Sequence, residues 1–153
     1  GRIRGFPEGK AMSVRKGTYA LFVTFDRDIN ITVGALGPHL FRAGTYCYVG
    51  SAMGGLDQRV SRHLARCKGI RWHIDRLTTV CDGSEAWESY PDFIGECELA
   101  RIAEECGGIP EMDGFGCSDC SCRTHLFRMD SGAADELVSR ARLERFSDRR
   151  AVR

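Results

Sequence analysis

The run Gly17–Phe25, GTYALFVTF, limits the fold more than any other segment. Its aromatic and β-branched side chains suit a packed, pleated surface and lose rotamer freedom in a helix, so the run reads as a strand. Residues 26–28 supply turn chemistry and residues 29–33 alternate with period two, which together predict a β-hairpin. Glycines 34 and 37 with Pro38 break the pattern, and residues 46–49 read as a third antiparallel strand ended by Gly50 and Ser51.

Helical periodicity follows. Leu56, Val60, Leu64 and Cys67 recur at helical spacing until Lys68 and Gly69 stop the run, and Arg59 and His63, four apart, share one flank beside that stripe. A second helix begins near Gly95, with Leu99, Ile102, Ala103 and Cys106 on one face, and residues 107–110 end it. Glu96 falls beside Leu99, Ala100 and Ala103, whereas Glu98 and Glu104 point further out. A carboxylate at the edge of a core-facing stripe is costly unless a charged or hydrogen-bonding group meets it, which singles Glu96 out. Residues 123–129 suggest a late strand, and residues 133–146 a closing amphipathic helix with Leu137, Val138 and Leu143 inward. The expected class is α/β of the α+β kind: a small, mainly antiparallel sheet of three to four strands flanked by helices, with a cysteine-rich loop and a C-terminal helix.

At 153 residues the chain suits one domain with its own core. The expected division is a flexible arm or non-native leader over residues 1–15, a single domain over 16–146 and a basic tail over 147–153. Hydrophobic residues at 42% and charged residues at 28% exclude disordered and fibrous classes. The apolar runs fall far short of the roughly 18 residues a membrane helix needs, and no basic start precedes an apolar stretch, so the expected setting is cytoplasmic, away from membranes. Eight cysteines in a domain of this size read as reduced thiols, with Cys47, Cys67, Cys97 and Cys106 spaced as small core residues.

The net charge of +1 hides a segregation. Residues 57–76 carry Arg59, Arg62, Arg66, Lys68, Arg71 and Arg76 against two acids, residues 82–113 carry ten acids against Arg101, and residues 140–153 carry six arginines against two acids. Such stretches are either solvated helix faces or local sites for a polyanion.

Gly17-Thr18-Tyr19 on one strand, Tyr48-Val49-Gly50-Ser51 on another, Arg59 and His63 on the next helix and Glu96 on a later one resemble the GIY-YIG nuclease pattern. More closely, five ordered blocks resemble the domain-of-unknown-function family 123. They are Gly50-Ser51-Ala52, Arg62-His63-Leu64, Trp72-His73-Ile74-Asp75, Glu96-Cys97-Glu98-Leu99-Ala100 and residues 115–126 with their cysteines. The resemblance covers about residues 16–129 and departs from the nuclease pattern in having Thr18 where isoleucine is usual and no evident late asparagine. Members of that family occur alone or fused to endonuclease III-type repair glycosylases, which implies a nucleic acid, DNA before RNA, as partner.

What the resemblance implies is metal-dependent cleavage of phosphodiester bonds in DNA repair or processing. Such cleavage needs a positioned water, neutralisation of a dianionic phosphorane-like arrangement and stabilisation of the leaving oxygen. The implied roles are Glu96 as ligand to Mg²⁺ or Mn²⁺, Arg59 as bidentate donor to phosphate, and Tyr19, Tyr48 and His63 as water-orienting or proton-transferring groups. His73, Asp75, Asp119, Cys120 and His125 are candidates for supporting contacts, and Arg62 and Arg66 for backbone phosphates. A non-cleaving nucleic-acid-binding module is the alternative. A third reading starts from Cys117, Cys120, Cys122 and His125, three thiols and an imidazole within nine residues, which suit a zinc ion in an interaction domain.

Overall fold

The computed structural model of the chain describes residues 14–66, 68–117 and 120–151. The expectations for residues 1–11, Cys67 and Asp119 lie outside the described residues.

Strand β1 (Gly17–Phe25) is central. It pairs antiparallel with β4 (Gly44–Ala52) on one side and β5 (Gly83–Ser89) on the other. Strand β7 (Leu126–Met129) extends the sheet beyond β4, and the two-residue strands β6 (Ile109–Pro110) and β8 (Glu144–Arg145) close its ends, for the order β6-β7-β4-β1-β5-β8. All the pairs are antiparallel, as expected for this α+β class, but the sheet has six strands rather than three or four. The additional central strand, β5, reads GSEAWES, a sequence too polar to signal a strand by hydropathy alone.

The expected hairpin is also redrawn. Strand β2 (Ile29–Thr32) does not pair with β1; it pairs with β3 (Pro38–Phe41) in a separate two-stranded ribbon. Period-two alternation identified β2 as a strand but carries no information about its partner.

Both faces of β1 are covered, which explains its unbroken apolar run. Tyr19, Leu21, Val23 and Phe25 face a core with Leu56 and Val60 of α1 (Leu56–Leu64), Leu77 of α2 (Asp75–Thr78), Ile74, Phe41 and Phe115. Ala20 and Phe22 face a second core with Leu99 and Ala103 of α3 (Glu96–Glu105) and Leu137 of α4 (Ser131–Arg140). Asp130 caps α4 by accepting from the Ala133 amide at 2.7 Å, so the closing helix starts two residues earlier than expected. It also ends early, because residues 144–145 pair with β5 instead of continuing it. Among the described residues no helix is long and apolar enough to cross a membrane.

Arg15, which the sequence reading assigned to the arm, bonds Asp57 at 2.5 Å and the buried Glu88 at 2.8 Å. The Arg149 amide donates to Asp57 as well, at 3.0 Å, so both flanks of the domain meet on one acidic pair.

Candidate active site and candidate metal centre

β4 pairs with β7 from Thr45↔Met129 as far as Tyr48↔Leu126, with one further bond from the Val49 amide to the His125 carbonyl. Beyond that point β4 is released from β7, and α1 and α3, which flank opposite faces of the sheet, can both reach the gap. A cleft of about 330 Å³ opens there, lined by Tyr19, Tyr48, Ser51, Arg59, His63, Arg71, Trp72, His73, Glu96 and Gly116. Thus Tyr19, Tyr48, Arg59, His63, Glu96 and His73, singled out on different segments, share one cleft.

The floor is a buried hydrogen bond of 2.7 Å between the Tyr19 hydroxyl and His63 Nε2. A buried tyrosine hydroxyl needs a partner, and α1 supplies it from the flank beside its apolar stripe. Gly50 makes the approach possible: a Cβ at this position would lie 2.4 Å from the Tyr19 hydroxyl oxygen. Gly116 plays the same part for Tyr48, with a positive φ of 72° and a Cβ position 2.8 Å from the Tyr48 ring. Burial pushes the Tyr19 and Tyr48 hydroxyls above the ordinary value, so both are neutral donors at pH 7.

Burial also pushes His63 down to about 3, against the pull of Asp75. Burial thus raises the Tyr19 hydroxyl and lowers the His63 imidazole, and both shifts oppose moving the proton from hydroxyl to imidazole. The pair at rest is therefore an orienting hydrogen bond, not a tyrosinate–imidazolium pair. His63 Nδ1 stands 4.0 Å from Asp75 Oδ1, and the facing carboxylate favours the tautomer with the proton on Nδ1. Nε2 then accepts from Tyr19.

Asp75 is completely buried, so its charge must be met. Arg62 donates from one nitrogen to both carboxylate oxygens at 3.0 Å, and the Arg71 and Trp72 amides donate at 2.8 and 3.0 Å. Although burial opposes it, these donors hold the Asp75 carboxyl below its ordinary value. Asp75 supports His63 from behind and is not itself a wall of the cleft. It opens α2, and the His73 Nδ1 accepts from the Gly116 amide at 3.2 Å.

The arginines divide by role. Arg59 donates to the Ser51 carbonyl at 3.1 Å and lines the cleft, where Arg71 joins it. Both stack on Trp72, at 4.6 and 4.9 Å from the ring centroid. Arg62, expected at a phosphate, is committed to Asp75 and to the Gly69 carbonyl. Arg66 bonds the Cys81 carbonyl and does not line the cleft.

Glu96 is half-exposed at the opposite wall. Its Oε1 accepts from the Ser51 hydroxyl at 2.8 Å, and its Oε2 lies 2.8 Å from His125 Nδ1. Burial opposes ionisation, but these two neighbours outweigh it and hold Glu96 below its ordinary value; His125, conversely, is raised against its own burial by Glu96. Glu96 is the one carboxylate lining the cleft among the described residues, and each of its oxygens keeps a second lone pair. That donor set fits a hard divalent cation carrying mostly water and phosphate ligands.

Behind Glu96, Cys97, Cys120, Cys122 and His125 bring four ligand atoms within 4.8 Å of one another, a Cys₃His group that can hold a metal such as zinc. Cys97 takes the place expected for Cys117, whose thiol lies 3.4 Å from the Phe115 carbonyl. Cys97 is exposed and not a core residue, whereas Cys47 and Cys106 are buried as expected. On a helical wheel at about 100° per residue, Cys97 falls roughly 150° from the centre of the stripe formed by Leu99, Ala103 and Cys106, a signal in the sequence that already argues against a core position. Ser51, Arg71 and Trp72 also went unassigned as site residues, though Ser51 and Trp72 lie inside the quoted blocks.

No curated protein and no solved structure matches the chain. The model of the family described as Domain of unknown function DUF123 matches residues 18–146, most of the sequence, and the protein belongs to that family.

Proposed function

We propose that the cleft binds a nucleic-acid phosphodiester and hydrolyses it with the help of a divalent cation, as the resemblance to GIY-YIG nucleases implies. The observation that carries this reading is the convergence of Tyr19, Tyr48, Arg59, His63 and Glu96, from two strands and two helices, on one open cleft. Glu96 would hold Mg²⁺ or Mn²⁺, which supplies charge neutralisation at the phosphate when bound.

The chain's own groups account for the rest. Arg59, its orientation fixed by the Ser51 carbonyl and by Trp72, presents a fork of N–H donors to nonbridging phosphate oxygens. Arg71 adds a second cation at the same mouth. The Tyr19 hydroxyl, held by His63, orients the attacking water through its oxygen lone pairs, and Asp75 holds His63 in the tautomer this requires. DNA is the expected polymer, in repair or processing.

The test is a cleavage assay of the purified protein on labelled DNA and RNA structures with Mg²⁺ or Mn²⁺, beside Glu96→Ala and Arg59→Ala. The parent is expected to cut, and both variants to lose activity by about a hundredfold or more while keeping their melting temperatures. Arg59→Ala should also lower the salt slope of binding by about 1. Binding without cutting by the parent makes the cleft a non-cleaving nucleic-acid-binding module. Cutting that survives Glu96→Ala removes Glu96 as the ligand.

A further inference from the structure

We infer that Cys97, Cys120, Cys122 and His125 hold one structural zinc ion, and that His125 transmits its hold to Glu96 in the cleft. The first argument is geometric. In a tetrahedral zinc site with bonds of about 2.3 Å to sulfur and about 2.0 Å to nitrogen, a sulfur and a nitrogen ligand lie about 3.6 Å apart. His125 Nε2 stands 3.6 Å from Cys120 Sγ and 4.0 Å from Cys97 Sγ, so the ligand atoms need to contract by only a few tenths of an ångström on this side. The four atoms come from two places distant in sequence, the first turn of α3 and the loop before β7, which is what a cross-linking metal joins. Three thiolates and an imidazole form a closed set with no open position for a substrate, the arrangement of structural zinc.

The second argument is the orientation of the imidazole. Nε2 faces the sulfurs and Nδ1 faces Glu96 Oε2 at 2.8 Å. Coordination through Nε2 leaves the ring proton on Nδ1, the nitrogen that lies 2.8 Å from the carboxylate, so zinc, histidine and Glu96 form one chain of contacts. Cys97 adjoins Glu96 in sequence, so the ion also anchors the helical turn that carries it. Glu96 is thereby held from both sides, by the Ser51 hydroxyl and by a metal-fixed histidine. His125 is a positioning residue, acting on the cleft through Glu96. The zinc assignment does not depend on whether the protein cuts nucleic acid.

The experiment is elemental analysis of the full chain purified without chelator, with Cys97→Ser and Cys117→Ser in parallel and a Co²⁺-substituted sample for its visible spectrum. The parent and Cys117→Ser are expected to carry one zinc per chain and Cys97→Ser to lose it, and the cobalt form to show the intense bands of tetrahedral thiolate coordination. Zinc-free parent protein with no such cobalt bands overturns the site. So does an iron–sulfur absorbance, or zinc kept by Cys97→Ser and lost by Cys117→Ser. For the link to the cleft, Glu96→Ala should weaken zinc binding about tenfold in chelator competition while leaving its stoichiometry at one. Unchanged affinity in that variant overturns the link and leaves the ion as a purely local clasp.

Discussion

The burial of His63 has a measurable thermodynamic signature. The unfolded chain binds a proton at this imidazole near 6.5, whereas the folded chain excludes it until about 3, because burial penalises the charge more than Asp75 favours it and Lys68, Arg59 and Arg62 add to the penalty. Between those two values the unfolded state holds the extra proton, so stability rises with pH and falls on acidification. From pH 7 to pH 5 the expected loss due to this one group is about 2 kcal/mol, and it reaches about 4 kcal/mol at pH 3. The interval from 7 to 5 is informative because few carboxylates titrate in it. His63→Gln removes the titration and keeps an amide to meet the Tyr19 hydroxyl. Urea unfolding of the parent and His63→Gln at pH 7, 6 and 5 should show the parent losing about 2 kcal/mol more than the variant. Contributions from every other titrating group are common to both chains and cancel in the difference. In the parent, the His63 ring resonances should not titrate above pH 5. Parallel stability curves, or a His63 that titrates near 6.5 in the native state, would refute the claim that the Tyr19–His63 pair is sealed in neutral form.

Other substitutions read out the packing around the same pair. Gly50→Ala, in a strand with an ordinary backbone, sets a Cβ 2.4 Å from the Tyr19 hydroxyl oxygen and 2.6 Å from the ring carbon bearing it; it should cost about 1–3 kcal/mol by denaturant unfolding. Asp75→Asn keeps the volume but turns an amide toward the donors of Arg62, Arg71 and Trp72 and leaves the Arg62 charge unpaired. It should cost about 3 kcal/mol, seen as a lower urea midpoint at unchanged slope.

Much of this structure was legible in the chain. Aromatic and β-branched residues marked Gly17–Phe25 and the region around Tyr48 as strands. The 3.6-residue rhythm of Leu56, Val60 and Leu64 marked α1 and placed Arg59 and His63 on one flank, where they are found. That the tyrosines, arginine, histidine and glutamate belong together was implied only by the resemblance to the GIY-YIG pattern, whereas Glu96 declared itself through its place at the edge of an apolar stripe. These are local signals: each depends on spacing along one element, and the sequence records spacing directly.

Partnership was decided only in three dimensions. Period-two alternation at Ile29–Thr32 could not say that its partner is Pro38–Phe41 instead of β1, and the polar GSEAWES segment becomes a central strand because β1 offers it a full edge of backbone donors and acceptors. The same holds for charge. Arg62 looks like a phosphate ligand in a basic stretch, yet the fold buries Asp75 beneath it and takes its guanidinium. Cys97 points away from the core by its own place on the helical wheel, and the approach of α3 to the loop before β7 brings it to Cys120, Cys122 and His125. The sequence determined which residues form elements and which faces they present, because those follow from side-chain chemistry and helical or strand periodicity. Which faces meet, and therefore which charges are neutralised and which donors gather, follows from long-range packing of strands and helices. That is a property of the assembled domain and of no segment taken alone.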